Sequence, residues 1–262
     1  MSKEQKNFLL KKKKKKVFII GTQITITILF LLIWQILSDK KIINPFIFSS
    51  PLKIMETFSS LYQNYHLLSH IGTTLYETGI AFVLGISLGF IIAVILYEFP
   101  TLAKIADPFL TMLNSLPKVA LGPIIIIWAG ANIKSIIVMA LLINLIISII
   151  TIYNGFLNTD HYKIKLLKSF NASKLQILTK VVIPESYNTI ISSLKLNISM
   201  SLIGIIMGEF LVSKKGIGYL IIYGTQVFNL NIVMSGIIIL IFISFILYEC
   251  IDKLEKKLLK EK

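Results

Sequence analysis

Long apolar runs separated by short polar segments dominate this sequence. A helix needs roughly 20 mainly apolar residues to cross a membrane, and six runs meet that requirement. We place the predicted spans at residues 17–37, 72–97, 102–128, 133–153, 187–212 and 231–250. No segment between these runs is long enough for a separate soluble domain. The pattern therefore predicts an all-α, polytopic membrane protein with about six transmembrane helices.

The composition agrees with a membrane protein. The chain is 55% hydrophobic and 15% charged, whereas soluble domains carry about 25% charged residues. Its single cysteine cannot form an internal disulfide. All of its 27 basic residues are lysines, and the formal net charge is +14. Such a balance fits either nucleic-acid binding or basic cytoplasmic segments, and the apolar runs favour the second interpretation.

The distribution of lysines predicts the orientation. With a cytoplasmic N-terminus, 19 lysines fall in cytoplasmic segments, 6 fall outside, and Lys118 and Lys195 lie within spans. This distribution satisfies the positive-inside rule, so both termini are predicted to be cytoplasmic. The run Lys11–Lys16 is interpreted as an anchor on anionic lipid. The chain then divides into a basic N-terminus (1–16), a transmembrane domain (17–250, with a cytoplasmic loop at 154–185) and a basic tail (251–262).

Two segments outside the spans have amphipathic patterns. Ser50 and Pro51 form a helix-start signal, with Ser as the N-cap and Pro at the first helical position. Apolar residues then recur at helical spacing, at Leu52, Met55, Phe58 and Leu61. This pattern predicts a short helix on the outer membrane face. Residues 252–262 are likewise predicted to lie along the inner face.

Signatures of catalysis, nucleotide binding and metal binding are missing from the sequence. It contains no G-x-x-x-x-G-K-[ST] phosphate loop and no G-x-S-x-G motif. The histidines His66, His70 and His161 are not clustered as metal ligands would be. We therefore expect no covalent catalysis and no bound cofactor or metal. An ion-coupled secondary carrier is the alternative, although it would be expected to have more intramembrane acids than Glu77 and Glu209.

The loop at 154–185 has a helix–turn–helix pattern. Asn171 lies where the first helix ends, in a position that favours a left-handed conformation. Ser173 and Gln176 have the spacing of a capping box for the second helix, and Pro184 is expected to stop it. An apolar stripe runs through both helices at Ile164, Leu167, Phe170, Leu175, Leu178 and Val182. The stripe fits either a partner's groove or the chain's own helix ends, and these residues alone favour neither.

Several motifs, taken in order, resemble a known family. They are Ser50-Pro51, Asp107-Pro108, Ser115-Leu116-Pro117, Ala172-Ser173, Val182-Ile183-Pro184, Gly208-Glu209-Phe210 and Gly216-Ile217-Gly218-Tyr219. From about residue 49 to 248 the chain resembles the permease subunits of binding-protein-dependent ABC importers, in the nitrate/sulfonate/taurine-type branch. It departs from that pattern at Lys165, Leu166, Leu167 and Asn171, where the branch has Glu, Ala, Ala and Gly.

The resemblance implies a type I ABC importer permease fold in a bacterial inner membrane. It implies two ABC ATPase subunits that bind the ATP, an extracytoplasmic substrate-binding protein and a second permease copy as partners, with no nucleic acid. The solute is expected to be small, of the nitrate, sulfonate, taurine or vitamin-precursor type. The residues implied to couple to the ATPase are Lys165, Leu166, Leu167, Ser169, Phe170, Asn171, Ala172, Ser173 and Pro184.

Polar and helix-breaking residues within the spans are candidates for the pathway. In the fifth span, small and polar residues form one stripe, which either packs on another helix or lines a wet path. In the third span, Pro117, Gly122 and Pro123 interrupt the helix beside Lys118, which either attracts an anionic solute or extends to the surface. The candidates are Pro117, Lys118, Ser193, Asn197, Ser201 and Glu209. The G-x-x-x-G pair Gly85 and Gly89 is assigned to helix packing.

Overall fold

The computed structural model describes residues 3–260, which form helices joined by short turns. No strand occurs between those residues. In chain order the helices are α1 (Lys3–Asp39), α2 (Pro45–Phe48), α3 (Pro51–Asn64), α4 (Leu67–Glu98), α5 (Pro100–Ser115), α6 (Gly122–Ala129), α7 (Ile133–Leu157), α8 (His161–Ser169), α9 (Lys174–Ile177), α10 (Ile183–Val212), α11 (Ile217–Gln226) and α12 (Leu230–Lys260). A 3₁₀ turn, Lys118–Leu121, precedes α6, and a π-helical stretch, Leu178–Val182, joins α9 to α10. The predicted all-α class is confirmed.

Five helices in the described chain are long and apolar enough to cross a membrane, and they correspond to five of the six predicted spans. They are Lys12–Asp39, Leu67–Glu98, Ile133–Leu157, Lys174–Val212 and Leu230–Leu259. The third predicted span, residues 102–128, is not one straight helix, because α5 and the segment Lys118–Ala129 are bent by 91°. Pro117 lies in this break, and its missing N–H and fixed ring prevent the helix from continuing. The chain has six spans if the bent pair counts as one.

The chain forms two compact units. The first runs to Tyr65 and includes Gly224–Ser235, and the second comprises His66–Tyr223 and continues from Gly236. The predicted domain limits after residues 16 and 250 fall inside α1 and α12, so that division stays a prediction. Residues 1, 2, 261 and 262, and the side chains of residues 3–11, 16 and 260, lie outside what the structure describes. Most of the predicted basic N-terminus is therefore not described at the level of side chains.

In the first unit, α3 begins where the sequence predicted. The Ser50 side chain accepts a hydrogen bond from the backbone N–H of Lys53 at 3.4 Å, which caps the helix. The helix buries Ile54 and Leu61. Leu52, which was also expected on the apolar face, is exposed. The predicted helix is confirmed, its buried face differs from the predicted stripe, and its place on the outer membrane face stays a prediction.

In the second unit, α7 packs against both α4 and α10. Glycines make the close approach possible. A Cβ atom on Gly85 would lie 2.2 Å from Asn144 Oδ1, and one on Gly89 would lie 2.4 Å from Ser148 Cβ. From α10, a Cβ atom on Gly204 would lie 2.4 Å from the Cα atom of Ala140 in α7. The predicted packing role of Gly85 and Gly89 is therefore confirmed.

The prediction that Pro184 stops the helix after the α8–α9 turn is wrong. The helical path from Lys174 to Val212 is continuous, and Pro184 lies in the first turn of α10. The π-helical stretch Leu178–Val182 ends at the start of α10, two residues before this proline. A wider turn of this kind accommodates a residue that lacks an N–H and would clash in a regular α-helix.

The end of α12 packs on α10 and does not form a separate surface helix. Lys195 Nζ lies 2.5 Å from Asp252 Oδ1 and 2.5 Å from Glu255 Oε2. Ser192 Oγ donates to Glu255 Oε1 at 2.9 Å. In the part of the tail that the structure describes, α12 continues to Lys260. These contacts give Lys195, which was counted inside a span, two carboxylate partners, and the predicted position of the tail along the inner membrane face stays a prediction.

Candidate functional site

The turn between α8 and α9 is a Schellman motif. The N–H of Asn171 donates to the carbonyl of Lys168 at 3.0 Å, and the N–H of Ala172 donates to the carbonyl of Leu167 at 3.1 Å. Asn171 has a φ of 54°, which is the left-handed conformation that this motif requires. Asn is tolerated there in place of the more usual glycine. The predicted helix end at this residue is confirmed.

The helices on either side of the turn are capped by side chains. Ser173 Oγ accepts from the N–H of Gln176 at 3.3 Å, and the N–H of Ser173 donates to Gln176 Oε1 at 2.7 Å. This is the predicted capping box. At the start of α8, Asp160 Oδ1 accepts from the N–H of Tyr162 at 2.8 Å. Local hydrogen bonds therefore hold α8 and α9 in shape.

The inner part of the apolar stripe belongs to the chain's own core. Ile164, Leu167 and Ala172 are half-buried and pack against one buried cluster. That cluster consists of Ala93, Ile152, Phe156, Ile177, Leu178 and Val182. The expectation that Leu167 faces a partner is therefore corrected, because its half-buried side chain packs against this cluster. The α8–α9 segment, defined as residues 161–182, is attached to the bundle by apolar contacts.

The outer part of the stripe is exposed. The exposed fractions are 73% for Phe170 and 65% for Leu175, and the neighbouring Leu166, which is not part of the stripe, is 57% exposed. Tyr162, which was not among the predicted site residues, is 81% exposed. The spacing of four residues from 162 to 166 to 170 is the signal that would have identified it, since such residues share a helix face. Of the other predicted coupling residues, Lys165, Ser169, Ser173 and Pro184 are also exposed.

A layer of buried polar groups joins α7 to its two neighbours. Asn144 Nδ2 donates to the carbonyl of Ala81 at 2.8 Å and to Ser201 Oγ at 2.6 Å. Ser148 Oγ donates to Asn197 Oδ1 at 2.6 Å. All four polar side chains are fully buried. Asn144 and Ser148 were missed from the sequence, where they appear as isolated polar residues in an apolar run.

These contacts decide between the two interpretations of the polar stripe in α10. Ser193, Asn197 and Ser201 are each at most 4% exposed. Ser193 Oγ donates to the carbonyl of Ile190 at 2.7 Å, and the other two side chains bind α7. The stripe is therefore a packing surface, and the pathway interpretation of these three residues is corrected. Small and polar side chains suit such contacts because they let helix backbones approach closely.

Glu209 closes the turn between α10 and α11. Its Oε1 accepts from Thr74 Oγ1 at 2.7 Å, and its Oε2 accepts from the N–H of Gly218 at 2.6 Å. Thr74 Oγ1 in turn accepts from the N–H of Ile217 at 2.9 Å. Gly216 has a φ of 107°, and a Cβ atom there would lie 2.2 Å from Glu209 Cδ. Glu209 is only 1% exposed, so the structure places it in a structural contact and not on a pathway surface.

Pro117 and Lys118 lie at the break between α5 and α6. Pro117 is exposed, and Lys118 is half-buried. Lys118 Nζ donates to the carbonyl of Asn114 at 2.9 Å, which is one of the carbonyls left free at the end of α5. Lys118 forms no ion pair with any side chain that the structure describes. A pathway role for these two residues stays a prediction.

Comparisons with known proteins identify a family that matches this chain and relatives with similar sequences. Residues 85–260 match the family described as "binding-protein-dependent transport system inner membrane component". A probable ABC transporter permease protein of Haemophilus influenzae is 31% identical over 223 residues, covering 85% of this chain and 90% of the relative. A putative aliphatic sulfonates transport permease protein, SsuC of Bacillus subtilis, is 27% identical over 87% of this chain and 83% of its own length.

The fold is also similar to that of solved transporters. A chain in the crystal structure of a bacterial ABC transporter involved in the import of the acidic polysaccharide alginate aligns with a TM-score of 0.67 at 15% identity. The alignment covers 95% of this chain and 98% of that chain. The family match spans more than half of the sequence and includes α7, the α8–α9 segment and α10. The chain therefore belongs to the inner membrane components of binding-protein-dependent transport systems, as the permease subunit of an ABC importer.

Proposed function

We propose that a separate ABC ATPase docks on the exposed face of the α8–α9 segment and so drives transport through this permease. The observation that carries the proposal is the division of the apolar stripe, whose inner part is buried while Phe170 and Leu175 are exposed beside the exposed Leu166. Apolar side chains grouped on a surface rimmed by polar residues are typical of a protein–protein contact. Phe170 is the residue expected to enter a groove on the ATPase.

The charges around this face suggest the nature of the partner surface. Lys165, Lys168 and Lys174 are exposed and form no ion pair within the part of the chain that the structure describes. Lys163 is exposed too, and its ammonium group lies 3.2 Å from Glu185 Oε1. A groove with apolar walls and an acidic rim would be complementary to this face. We expect the ATPase to present such a groove.

The path of α10 supports transmission of movement from this face across the membrane. The helix has 30 residues, which corresponds to about 45 Å. This exceeds the roughly 30 Å thickness of the hydrocarbon core. The helical path from α9 into α10 is continuous, so a force on the α8–α9 segment acts on α10 directly. The inner residues of the segment would carry the same force to α4 and α7.

We infer that the chain itself hydrolyses no ATP and holds no cofactor, since its sequence lacks a phosphate loop. ATP would bind to two ATPase subunits, and an extracytoplasmic binding protein would deliver the solute. A second copy of the permease would complete the pathway at the subunit interface. The purified chain should show no ATPase activity until an ATPase subunit is co-purified. Hydrolysis retained by the chain after stringent purification would contradict this inference.

The solute is proposed to be a small molecule of the sulfonate, taurine, nitrate or vitamin-precursor type. The resemblance of the sequence supports this range, and the name of the Bacillus subtilis relative supports an aliphatic sulfonate. Solute binding to the cognate extracytoplasmic protein would test it directly. Tight binding of an unrelated solute, such as a metal ion or an oligosaccharide, would contradict the proposed range.

Both termini are proposed to be cytoplasmic. Cysteines at Lys40 and Lys215, which are both exposed and both predicted to lie outside, should react with an impermeant thiol reagent added to intact cells. A cysteine at Lys165 should react only after the cells are opened. The exposed Cys250 must first be replaced by alanine. The reverse labelling pattern would place the α8–α9 segment outside, away from any ATPase.

The docking proposal is tested by Phe170→Asp. Burial of a Phe side chain contributes about 1.5–3 kcal/mol, and a carboxylate in a dry groove adds a desolvation penalty. The sum corresponds to roughly a hundredfold or greater loss of association. The variant should insert into the membrane normally, yet fail to retain the ATPase subunit in a pull-down from detergent and fail to transport.

A matched control is available in Phe228→Asp. Phe228 is 75% exposed, almost the same as Phe170, and it lies in the turn before α12. Its φ of 55° suits Asp at least as well as Phe. This variant should retain the ATPase as the wild type does. Equal retention of the ATPase by Phe170→Asp at matched expression would show that the α8–α9 segment is not the docking site.

A further inference from the structure

The short turn at the opposite end of α10, residues 213–216, is held in one conformation by buried polar groups. The Glu209 carboxylate accepts hydrogen bonds from Thr74 and from the first turn of α11. On the other side, the N–H of Gly216 donates to His70 Nδ1 at 3.0 Å. Within the turn, the N–H of Lys215 donates to Ser213 Oγ at 3.1 Å. The turn is therefore held by a hydrogen bond within it and by hydrogen bonds to α4.

This way of holding a surface turn is unusual for a membrane protein. Carboxylates within membrane spans are unfavourable and are usually tied to function. Glu209 is 1% exposed, and neither Ser213 nor the two residues after it belong to the buried apolar core. A simple link between two helices would not need a buried carboxylate. The arrangement indicates that the conformation of the turn itself matters.

The turn presents two adjacent lysines, Lys214 and Lys215. Both are exposed, and neither forms an ion pair with a carboxylate among the side chains that the structure describes. In the proposed orientation they lie outside, where the positive-inside rule disfavours lysine. The orientation rule therefore does not explain them. Two unpaired ammonium groups on a fixed turn form a site suited to acidic side chains of another protein.

The position of the turn along the chain links it to the ATPase-facing segment. The turn follows Val212, the last residue of α10, and α10 begins directly after the α8–α9 segment. A protein that binds the turn would act on the same helix as the ATPase does. The molecule expected on this side is the substrate-binding protein.

We propose that Lys214 and Lys215 are a docking point for an acidic surface of the substrate-binding protein, and that Glu209 is a positioning residue that holds them in place. The inference rests on the proposed function, because it needs the proposed orientation and a binding-protein partner. It goes beyond that function by assigning the partner to a particular turn and a particular charge.

The test uses the complete transporter in lipid nanodiscs, with its own ATPase subunits and binding protein. ATP hydrolysis is followed as the binding protein is titrated. In Lys214→Glu/Lys215→Glu, the binding-protein concentration that gives half-maximal stimulation should rise at least tenfold. In the wild type this concentration should rise with added NaCl, because salt screens exposed charges, whereas the variant should respond less.

Two further variants separate docking from general effects of charge and folding. Lys40→Glu/Lys41→Glu alters another exposed lysine pair with the same predicted sidedness, and it should change the half-maximal concentration less than twofold. Thr74→Val keeps both turn lysines but removes the hydrogen bond from Thr74 to Glu209 and the one that Thr74 accepts from the N–H of Ile217, and it should give an intermediate increase. An increase with Thr74→Val while the ATPase stays bound would support the positioning role.

The outcomes distinguish this inference from the proposed function. If the turn double variant retains the ATPase subunit and its half-maximal concentration stays within twofold of wild type, the docking inference is overturned and the proposed function stands. An equal increase in the Lys40/Lys41 variant would also overturn it, since the effect would then be one of general charge. If no binding protein stimulates even the wild type, the proposed function itself fails.

Discussion

The interior between α4, α7 and α10 and the outer face of the α8–α9 segment have opposite polarities. The interior contains Asn144, Ser148 and Asn197, all fully buried, whereas the outer face exposes Phe170 and Leu166. In lipid there is no hydrophobic drive between helices, so close backbone contact and hydrogen bonds hold the helices together. In water, an exposed apolar face is unfavourable unless a partner covers it. The comparison shows that each surface must be judged against the solvent around it.

The inner part of the α8–α9 segment follows a third pattern, like that of a soluble protein. Leu178 and Val182 are at most 2% exposed and form a cluster with Phe156 of α7. Here apolar burial provides the stability in the usual way. One stripe of residues along the chain therefore has two different roles, attachment on the inside and docking on the outside.

The largest effect is expected from placing a charge in the inner part. Leu178→Asp would bury a carboxylate with no partner, and it should destabilise the protein by more than about 3 kcal/mol. Phe170→Asp should leave stability unchanged, because that side chain is exposed. Thermal denaturation of both variants in detergent, without ATPase, measures the difference. Similar melting temperatures for the two would contradict the division of the stripe.

The next largest effect tests the close packing of the interior. In Gly204→Ala the new Cβ atom would lie 2.4 Å from the Cα atom of Ala140, so the helices must separate. Overpacking of this kind costs about 1–3 kcal/mol. Gly79→Ala is the control, since no atom lies within 4 Å of its Cβ position. Alanine is the better helix former, so the control should melt at the same or a slightly higher temperature.

A smaller effect is expected at the turn that positions the docking face. Asn171→Val places a β-branched residue at a φ of 54°, and it should destabilise the turn by about 1–2 kcal/mol. Asn171→Gly should be neutral, because glycine adopts this conformation freely. Retention of the ATPase subunit at matched expression is the measurement. If the valine variant retained the ATPase fully, the turn would not position Phe170.

The smallest effect concerns a single interior hydrogen bond. A double-mutant cycle with Ser148→Ala and Asn197→Ala isolates the contact between Ser148 Oγ and Asn197 Oδ1. Hydrogen bonds between membrane helices average about 0.6 kcal/mol in such cycles. We expect a coupling energy of that size from unfolding measurements in detergent. A coupling near zero would mean that close packing alone holds α7 to α10.

Much of this protein could be predicted from short stretches of sequence. Apolar runs located five membrane helices, and the signals at Ser50, Asn171 and Ser173 located helix ends within one or two residues. The G-x-x-x-G pair correctly indicated close packing. The order of several motifs identified the family. These features depend on residues near one another in the chain, so the sequence alone contains the information.

Other features were decided only by the tertiary structure. Which half of the apolar stripe is buried depends on Phe156 at the end of α7 and on Ala93 of α4, which is about 70 residues before the stripe in sequence. The polar stripe of α10 proved to be a packing surface because Asn144 and Ser148 face it from α7. The effect of a proline could not be predicted from the local sequence either. The helix breaks at Pro117, whereas it continues through Pro184, which follows a π-helical stretch. The local sequence determines which conformations and contacts each residue can adopt, and packing against distant elements selects among them.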